Sequence, residues 1–200
     1  MSQRKAEVKR QTKETKIALS LFLDGGGDSS VDTGLPFLDH MLDLFARHGL
    51  FDLRLSCKGD LEVDKHHTVE DCGLALGQAV KAALGDKAGI ARMGSAWVPM
   101  GDALAWVVLD ICGRPQLCIQ ELIDPGDVGE PPVELPWSLV EEWFRSVVSE
   151  AGITLHLGVR SGTDGHHIIE ALFKAFGRAL DAAVRLDPRV SGVPSTKGSL

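Results

Sequence analysis

The sequence has no excess of basic charge, no long apolar run and no metal-type cysteine spacing, and each absence closes off a class of function. With 21 Lys and Arg against 28 Asp and Glu, the net charge is −7. That argues against a general nucleic-acid binder, whose balance is usually basic, but leaves room for a local pocket that takes a phosphorylated small molecule. No apolar stretch approaches the roughly 20 residues of a membrane-spanning helix. The segment Met1 to Lys16 is polar and charged, without the apolar core of a secretory signal. Cys57, Cys72, Cys112 and Cys118 form no CxxC pair, so reduced thiols in a cytoplasmic protein are the expectation. What is present suits a globular chain: 200 residues, 44% hydrophobic and 24% charged, enough for one large domain or two small fused ones.

The chain also repeats itself. Setting His66-His67-Thr68-Val69-Glu70 over His166-His167-Ile168-Ile169-Glu170 aligns Ala75 with Ala175, Gly77 with Gly177, Ala79 with Ala179, and Ala82-Ala83 with Ala182-Ala183. Upstream, with a small gap, Gly49 to Leu55 sits over Gly152 to Gly158, and both alternate as half-buried strands do. An amphipathic helix precedes each. The first, near Pro36 to His48, puts Phe37, Met41, Leu44 and Phe45 on one face; the second, near Pro136 to Glu150, does so with Leu139, Trp143, Val147 and Val148.

Such internal similarity predicts a duplicated half-domain, residues 1–90 and 91–200, meeting near Gly89 to Gly94 and forming one structural unit. Each half is expected to run strand, strand, helix, strand, turn, helix. Ile17 to Leu23 followed by Asp24-Gly25-Gly26-Gly27-Asp28 predicts a hairpin that opens the first half. Trp97 to Asp110 and Cys112 to Leu122, broken by Gly113-Arg114-Pro115, are the matching strands of the second. Pro125 to Pro136 is expected to be a loop and the tail after Asp187 irregular.

On a helix, residues i and i+4 share a face while i+1 lies about 100° round the axis. His66 and Glu70 can therefore meet one ion while His67 points at another, and likewise His166 and Glu170 against His167. Two such repeats predict a reciprocal exchange: His66, Glu70 and His167 at one ion, His166, Glu170 and His67 at the other. The helix before each strand should add one ligand, His40 in the first half and its equivalent Glu142 in the second. Mixed imidazole and carboxylate ligands suit Mn, Fe or Zn. His48 and His156 read as structural.

Arg10-Gln11-Thr12-Lys13-Glu14-Thr15, Gly34 to Asp43, His66 to Asp71, Asp110 to Pro115, His166 to Ala175 and Pro194 to Gly198 together resemble the imidazoleglycerol-phosphate dehydratase family over nearly the whole chain. The resemblance implies an α+β fold of two four-stranded sheets with helices packed between them, ribosomal protein S5 domain 2-like. It implies two Mn2+ ions per active site, placed between subunits of a 24-subunit octahedral homo-oligomer. The activity implied is a lyase step of histidine biosynthesis, from imidazoleglycerol phosphate to imidazoleacetol phosphate, in which substrate imidazolate, held by the metals, helps expel the hydroxyl. By the same resemblance Glu14 is the proton-transfer carboxylate, and Arg92, Arg114, Lys174, Ser195 and Lys197 bind the phosphate.

The sequence departs from the family pattern at Glu142, where a ligand His is usual, and at Leu44, Lys65, Gly101 and Asp164. These changes keep two alternatives open: a metal-dependent lyase acting on another phosphorylated compound, and a non-catalytic metal-binding assembly protein.

Overall fold

A computed structural model of the chain describes residues 3–121, 131–198 and 200. The first repeat runs β1 (Lys5–Gln11), β2 (Thr15–Phe22), β3 (Ser29–Asp32), α1 (Pro36–Gly49), β4 (Asp52–Gly59) and α2 (His66–Leu84). The second runs β5 (Met93–Met100), β6 (Ala103–Asp110), β7 (Gln116–Glu121), α3 (Trp137–Ala151), β8 (Thr154–Ser161) and α4 (Gly165–Val184). The sheets have orders β1-β2-β4-β3 and β5-β6-β8-β7. In each, the first three strands in that order pair antiparallel and the last is parallel to its neighbour. This is the expected duplicated α+β half-domain.

Period-two burial makes the sheets one-sided: Ile17, Leu19 and Leu21 of β2 are buried while Lys16 and Ala18 face out. The helices cover those inner faces. α2 lies on β1 and β2, and α4 lies on β5 and β6. α1 then packs on α4 and α3 on α2, so all four helices sit between the sheets. Phe45, Trp143, Phe144, Phe173 and Phe176 fill the centre, with ring centroids 4.6 to 5.9 Å apart across the helix pairs.

Three expectations are corrected. The glycine-rich turn Asp24–Asp28 does not close a hairpin. The Asp52 carboxylate accepts the N–H groups of Gly26 and Asp28 at 2.8 and 3.1 Å and draws the chain across β4, so β3 joins the far edge of the sheet in parallel. The opening hairpin is one turn earlier, β1 against β2. The run Trp97 to Asp110 is two strands rather than one, because Gly101 turns the chain in the left-handed region at φ 56°. Each half also gains a third strand before its first helix, β3 or β7. Leu122 and the first half of the predicted loop Pro125 to Pro136, residues 125–130, lie outside the described residues. The tail after Asp187 is irregular, as expected.

The glycines aligned between the repeats mark the two helix crossings. A Cβ on Gly177 would lie 2.5 Å from the Phe45 carbonyl oxygen and 3.1 Å from the Gly49 nitrogen. One on Gly77 would lie 2.6 Å from the Val147 carbonyl oxygen and 3.0 Å from the Ala151 nitrogen. The α1–α4 and α2–α3 contacts are thus the same contact made twice. Because the obstacle is backbone, Gly177→Val cannot be relieved by a rotamer change, and it should destabilise the protein by about 3 kcal/mol or more. Urea unfolding measures this; a midpoint unchanged from wild type would show that the helices can slide apart cheaply.

Candidate metal centre

The start of α1 is fixed by Pro36 at its first position and by Asp39, whose carboxylate accepts the Thr33 N–H at 2.9 Å and its hydroxyl at 2.5 Å. That places His40 just past the first turn, with Nε2 facing Glu170 of α4. The start of α4 is capped by Asp164, which accepts the N–H groups of His166 and His167 at 2.8 and 3.4 Å. Asp164 does what an Asn would do there, so that departure is conservative in structure. At α2 the same work falls to Asp64, 2.6 Å from the His66 N–H, which leaves Lys65 free to donate to the Val133 carbonyl at 3.1 Å.

Residues from both repeats meet at the α1–α4 crossing. His40 Nε2 is 2.9 Å and His166 Nε2 is 3.0 Å from Glu170 Oε1. The three ligand atoms lie within 4.8 Å of one another. Glu170 is buried, and its other oxygen accepts from Lys174 Nζ at 2.7 Å. Burial alone would raise its pKa, but the hydrogen bonds from Lys174, His40 and His166 outweigh it and bring the carboxyl down to about 2. Lys174 also touches Met100 Sδ at 3.2 Å.

The aligned site of the first repeat is looser. His66 Nε2 and Glu70 Oε2 are 3.4 Å apart, and Leu74 stands where the second repeat has Lys174. The correspondence that carries Phe45 to Val147 and Gly49 to Ala151 at the two crossings carries His40 to Glu142. Glu142 is half-buried on α3 with Arg145 Nε at 3.9 Å, and it makes no three-residue group with His66 and Glu70. Leu44 is a partly buried residue packed on the core.

His67 and His167 turn away from these pairs, as i+1 geometry requires, and each is held by a carboxylate. Asp60 lies 3.2 Å from His67 Nδ1, and Asp102 lies 2.8 Å from His167 Nδ1. Each hydrogen bond raises the pKa of its imidazole. Each also fixes the tautomer with Nδ1–H donated, leaving Nε2 as a lone-pair donor for an ion. Neither His67 nor His167 joins the His40 group within one chain. Gly101 belongs to this arrangement, since a Cβ there would lie 2.8 Å from His167 Nδ1. Asp60 and Asp102 were not singled out as functional in the sequence; their only signal was a carboxylate in the turn facing each His pair.

Glu14 sits in the β1–β2 turn, exposed, with Oε1 3.8 Å from His67 Nε2. Of the expected phosphate ligands, Arg92 is forked onto Asp110 (2.7 and 3.0 Å) and donates from Nη1 to the Pro194 carbonyl at 2.8 Å. It thereby anchors the turn in which the Lys197 N–H meets Ser195 Oγ at 3.1 Å. Arg114 is exposed in the turn after Asp110, and its carbonyl accepts the Thr154 hydroxyl at 3.1 Å.

The Glu170 pairing predicts an acid response of metal-free protein. A carboxyl whose folded pKa lies below its unfolded value stabilises the fold above about pH 4.5, and that contribution is lost as pH falls toward 2. Its size is on the order of 2–3 kcal/mol. In Lys174→Met the fall in urea midpoint between pH 5 and pH 2 should be visibly smaller than in wild type; equal slopes would mean that Lys174 does not hold this carboxylate.

A family model described as imidazoleglycerol-phosphate dehydratase matches residues 33–180. The imidazoleglycerol-phosphate dehydratase of Acetivibrio thermocellus is 56% identical over 197 residues, covering 98% of this chain and 99% of the relative. That of Geobacter metallireducens is 54% identical over the same span, with the same coverage. The crystal structure of the Pyrococcus furiosus protein in complex with (S)-C348 superposes with a TM-score of 0.82 at 34% identity, covering 96% of this chain and 100% of that one. The Staphylococcus aureus structure gives 0.79 at 36%, covering 92% and 99%. The chain belongs to the imidazoleglycerol-phosphate dehydratase family and is an enzyme, a dehydratase of the hydro-lyase class.

Proposed function

We propose that the protein dehydrates imidazoleglycerol phosphate to imidazoleacetol phosphate in histidine biosynthesis, with two divalent metal ions per active site. The observation that carries this reading is the meeting of His40 from one repeat with His166 and Glu170 from the other. The carboxylate-held imidazoles of His67 and His167 stand ready to complete such sites. The donor set, imidazole nitrogen with carboxylate oxygen, fits Mn2+ first and admits Fe or Zn. One position would use His40, His166 and Glu170, and the other His66, Glu70 and Glu142. His67 and His167, engaged by Asp60 and Asp102 within their own halves, would serve a neighbouring copy in a homo-oligomer of 24 chains. Residues 1–90 and 91–200 act in this reading as two halves of one unit in the cytoplasm.

When bound, the ions supply Lewis acidity and a template for the substrate's imidazole. The chain supplies the rest. Glu14, whose side chain makes no hydrogen bond among the described residues and lies beside His67, moves the proton from the substrate carbon. Arg92, with Asp110 fixing one edge of its guanidinium, presents its remaining N–H groups to the phosphate, joined by Arg114, Lys174, Ser195 and Lys197. Lys174 keeps Glu170 ionised and aimed at the His40–His166 position.

The test is turnover of imidazoleglycerol phosphate by metal-free protein reconstituted with Mn2+, alongside Glu142→His. Robust wild-type turnover is expected, with the variant within about tenfold. Two bound metals without turnover would move the substrate to another phosphorylated compound, and rescue by Glu142→His would place the fault in that ligand.

A further inference from the structure

The β1–β2 turn that carries Glu14 is braced internally by Thr12, whose hydroxyl oxygen accepts the N–H groups of Glu14 and Thr15 at 3.1 and 3.0 Å. One backbone bond ties it outward, from the Asp60 N–H to the Glu14 carbonyl at 3.0 Å. Among the described residues the side-chain attachment is one buried carboxylate. Asp71 on α2, 4% exposed, accepts Arg10 Nε and Nη2 on Oδ1 at 3.0 and 2.7 Å, and the Thr15 hydroxyl on Oδ2. Arg10 belongs to β1 and Thr15 to β2, so the two oxygens of one carboxylate clamp both limbs of the hairpin.

Asp71 directly follows Glu70 on the helix that also bears His66 and His67. The second repeat has no such clamp: Ala171 stands in place of Asp71, and there the hairpin carboxylate Asp102 rests on His167 itself. The clamp is therefore not a requirement of the fold. In the first repeat Asp60 occupies His67 Nδ1, and the hairpin carboxylate Glu14 is left 3.8 Å from Nε2.

We propose that Asp71 is a positioning residue: through Arg10 and Thr15 it sets the place of Glu14 relative to the metal-binding helix. The proposal rests on the reading of Glu14 as the proton-transfer carboxylate. A buried carboxylate paired with a guanidinium and a hydroxyl is a stiff joint, since its hydrogen bonds are charge-assisted and water is excluded. Catalysis is sensitive to displacements of about 1 Å at such a group.

The experiment is a set of variants in the Mn2+-loaded enzyme: Asp71→Asn, Thr15→Val and Glu14→Gln, with the first two repeated in the Glu14→Gln background. Asp71→Asn should lower kcat roughly 100-fold, with KM and metal content close to wild type. The pH–kcat limb that disappears in Glu14→Gln should be displaced in Asp71→Asn. Thr15→Val should show a smaller loss in the same direction. Neither change should cost further activity once Glu14 is Gln. Wild-type kcat in Asp71→Asn, or an equal loss in the Glu14→Gln background, overturns the proposal. If Asp71→Asn does not fold, Thr15→Val decides by the same two criteria. An active Glu14→Gln would instead overturn the reading of Glu14, and the clamp's catalytic meaning with it.

Discussion

Glu14→Gln should reduce kcat by between about 10² and 10⁴ while leaving metal content, fold and KM close to wild type. The amide keeps the shape and the backbone bonds of the turn, and the Glu14 side chain takes no part in the hydrogen bonds that hold it. What it cannot do is accept a proton. The departing C–H of the substrate is not acidic, so a base placed at the carbon is required whatever lowers the rest of the barrier. Asp102 cannot take over, because its oxygens already accept from Thr163, Asp164 and His167, and those bonds pull its pKa far below the usual carboxylate range. Steady-state kinetics with metal analysis on the same sample checks this, and a kcat within threefold of wild type would remove Glu14 from the chemistry.

The parts of this molecule legible in the sequence were those written as period and repetition. The HHxxE helices, the two amphipathic helices before them and the alternating strands all obey spacing rules that survive in any tertiary context. Gly77 and Gly177 were visible as a matched pair, yet their purpose was not, because a helix crossing is a fact about two distant segments. The Asp24–Asp28 turn misled for the same reason. Locally it is hairpin chemistry, and only Asp52, brought alongside by β4, redirects it. Asp60, Asp71 and Asp102 were hidden in another way: each acts on a side chain far off in sequence or in a neighbouring turn, and no periodicity announces a lone aspartate. The exchange between halves was half-legible. That each His pair diverges follows from 100° per residue; that His40, not His67, meets His166 and Glu170 inside one chain needed the α1–α4 crossing.

His67→Ala should remove metal from the position built on His166 and Glu170, although His67 touches neither residue in its own chain. Its ring nitrogens face Asp60 and Glu14. With Nδ1–H held by Asp60, Nε2 keeps its lone pair, and under the proposed function it is the ligand for a second copy. Loss of an imidazole from a three- or four-ligand site should weaken that ion's binding by at least about 100-fold, whereas Asp60→Asn, which only loosens the ring, should cost 10–100-fold. Metal titration of the purified variants measures both. Sharing between chains makes a further demand that sharing within a chain does not. Dissociated His67→Ala and Glu170→Ala chains, each inactive alone, should regain turnover when mixed and reassembled with Mn2+, because some sites then receive Glu170 from one chain and His67 from the other. A mixture as inactive as its parts, made from chains that demonstrably co-assemble, would mean that each chain completes its own metal positions and that Nε2 of His67 serves some other contact.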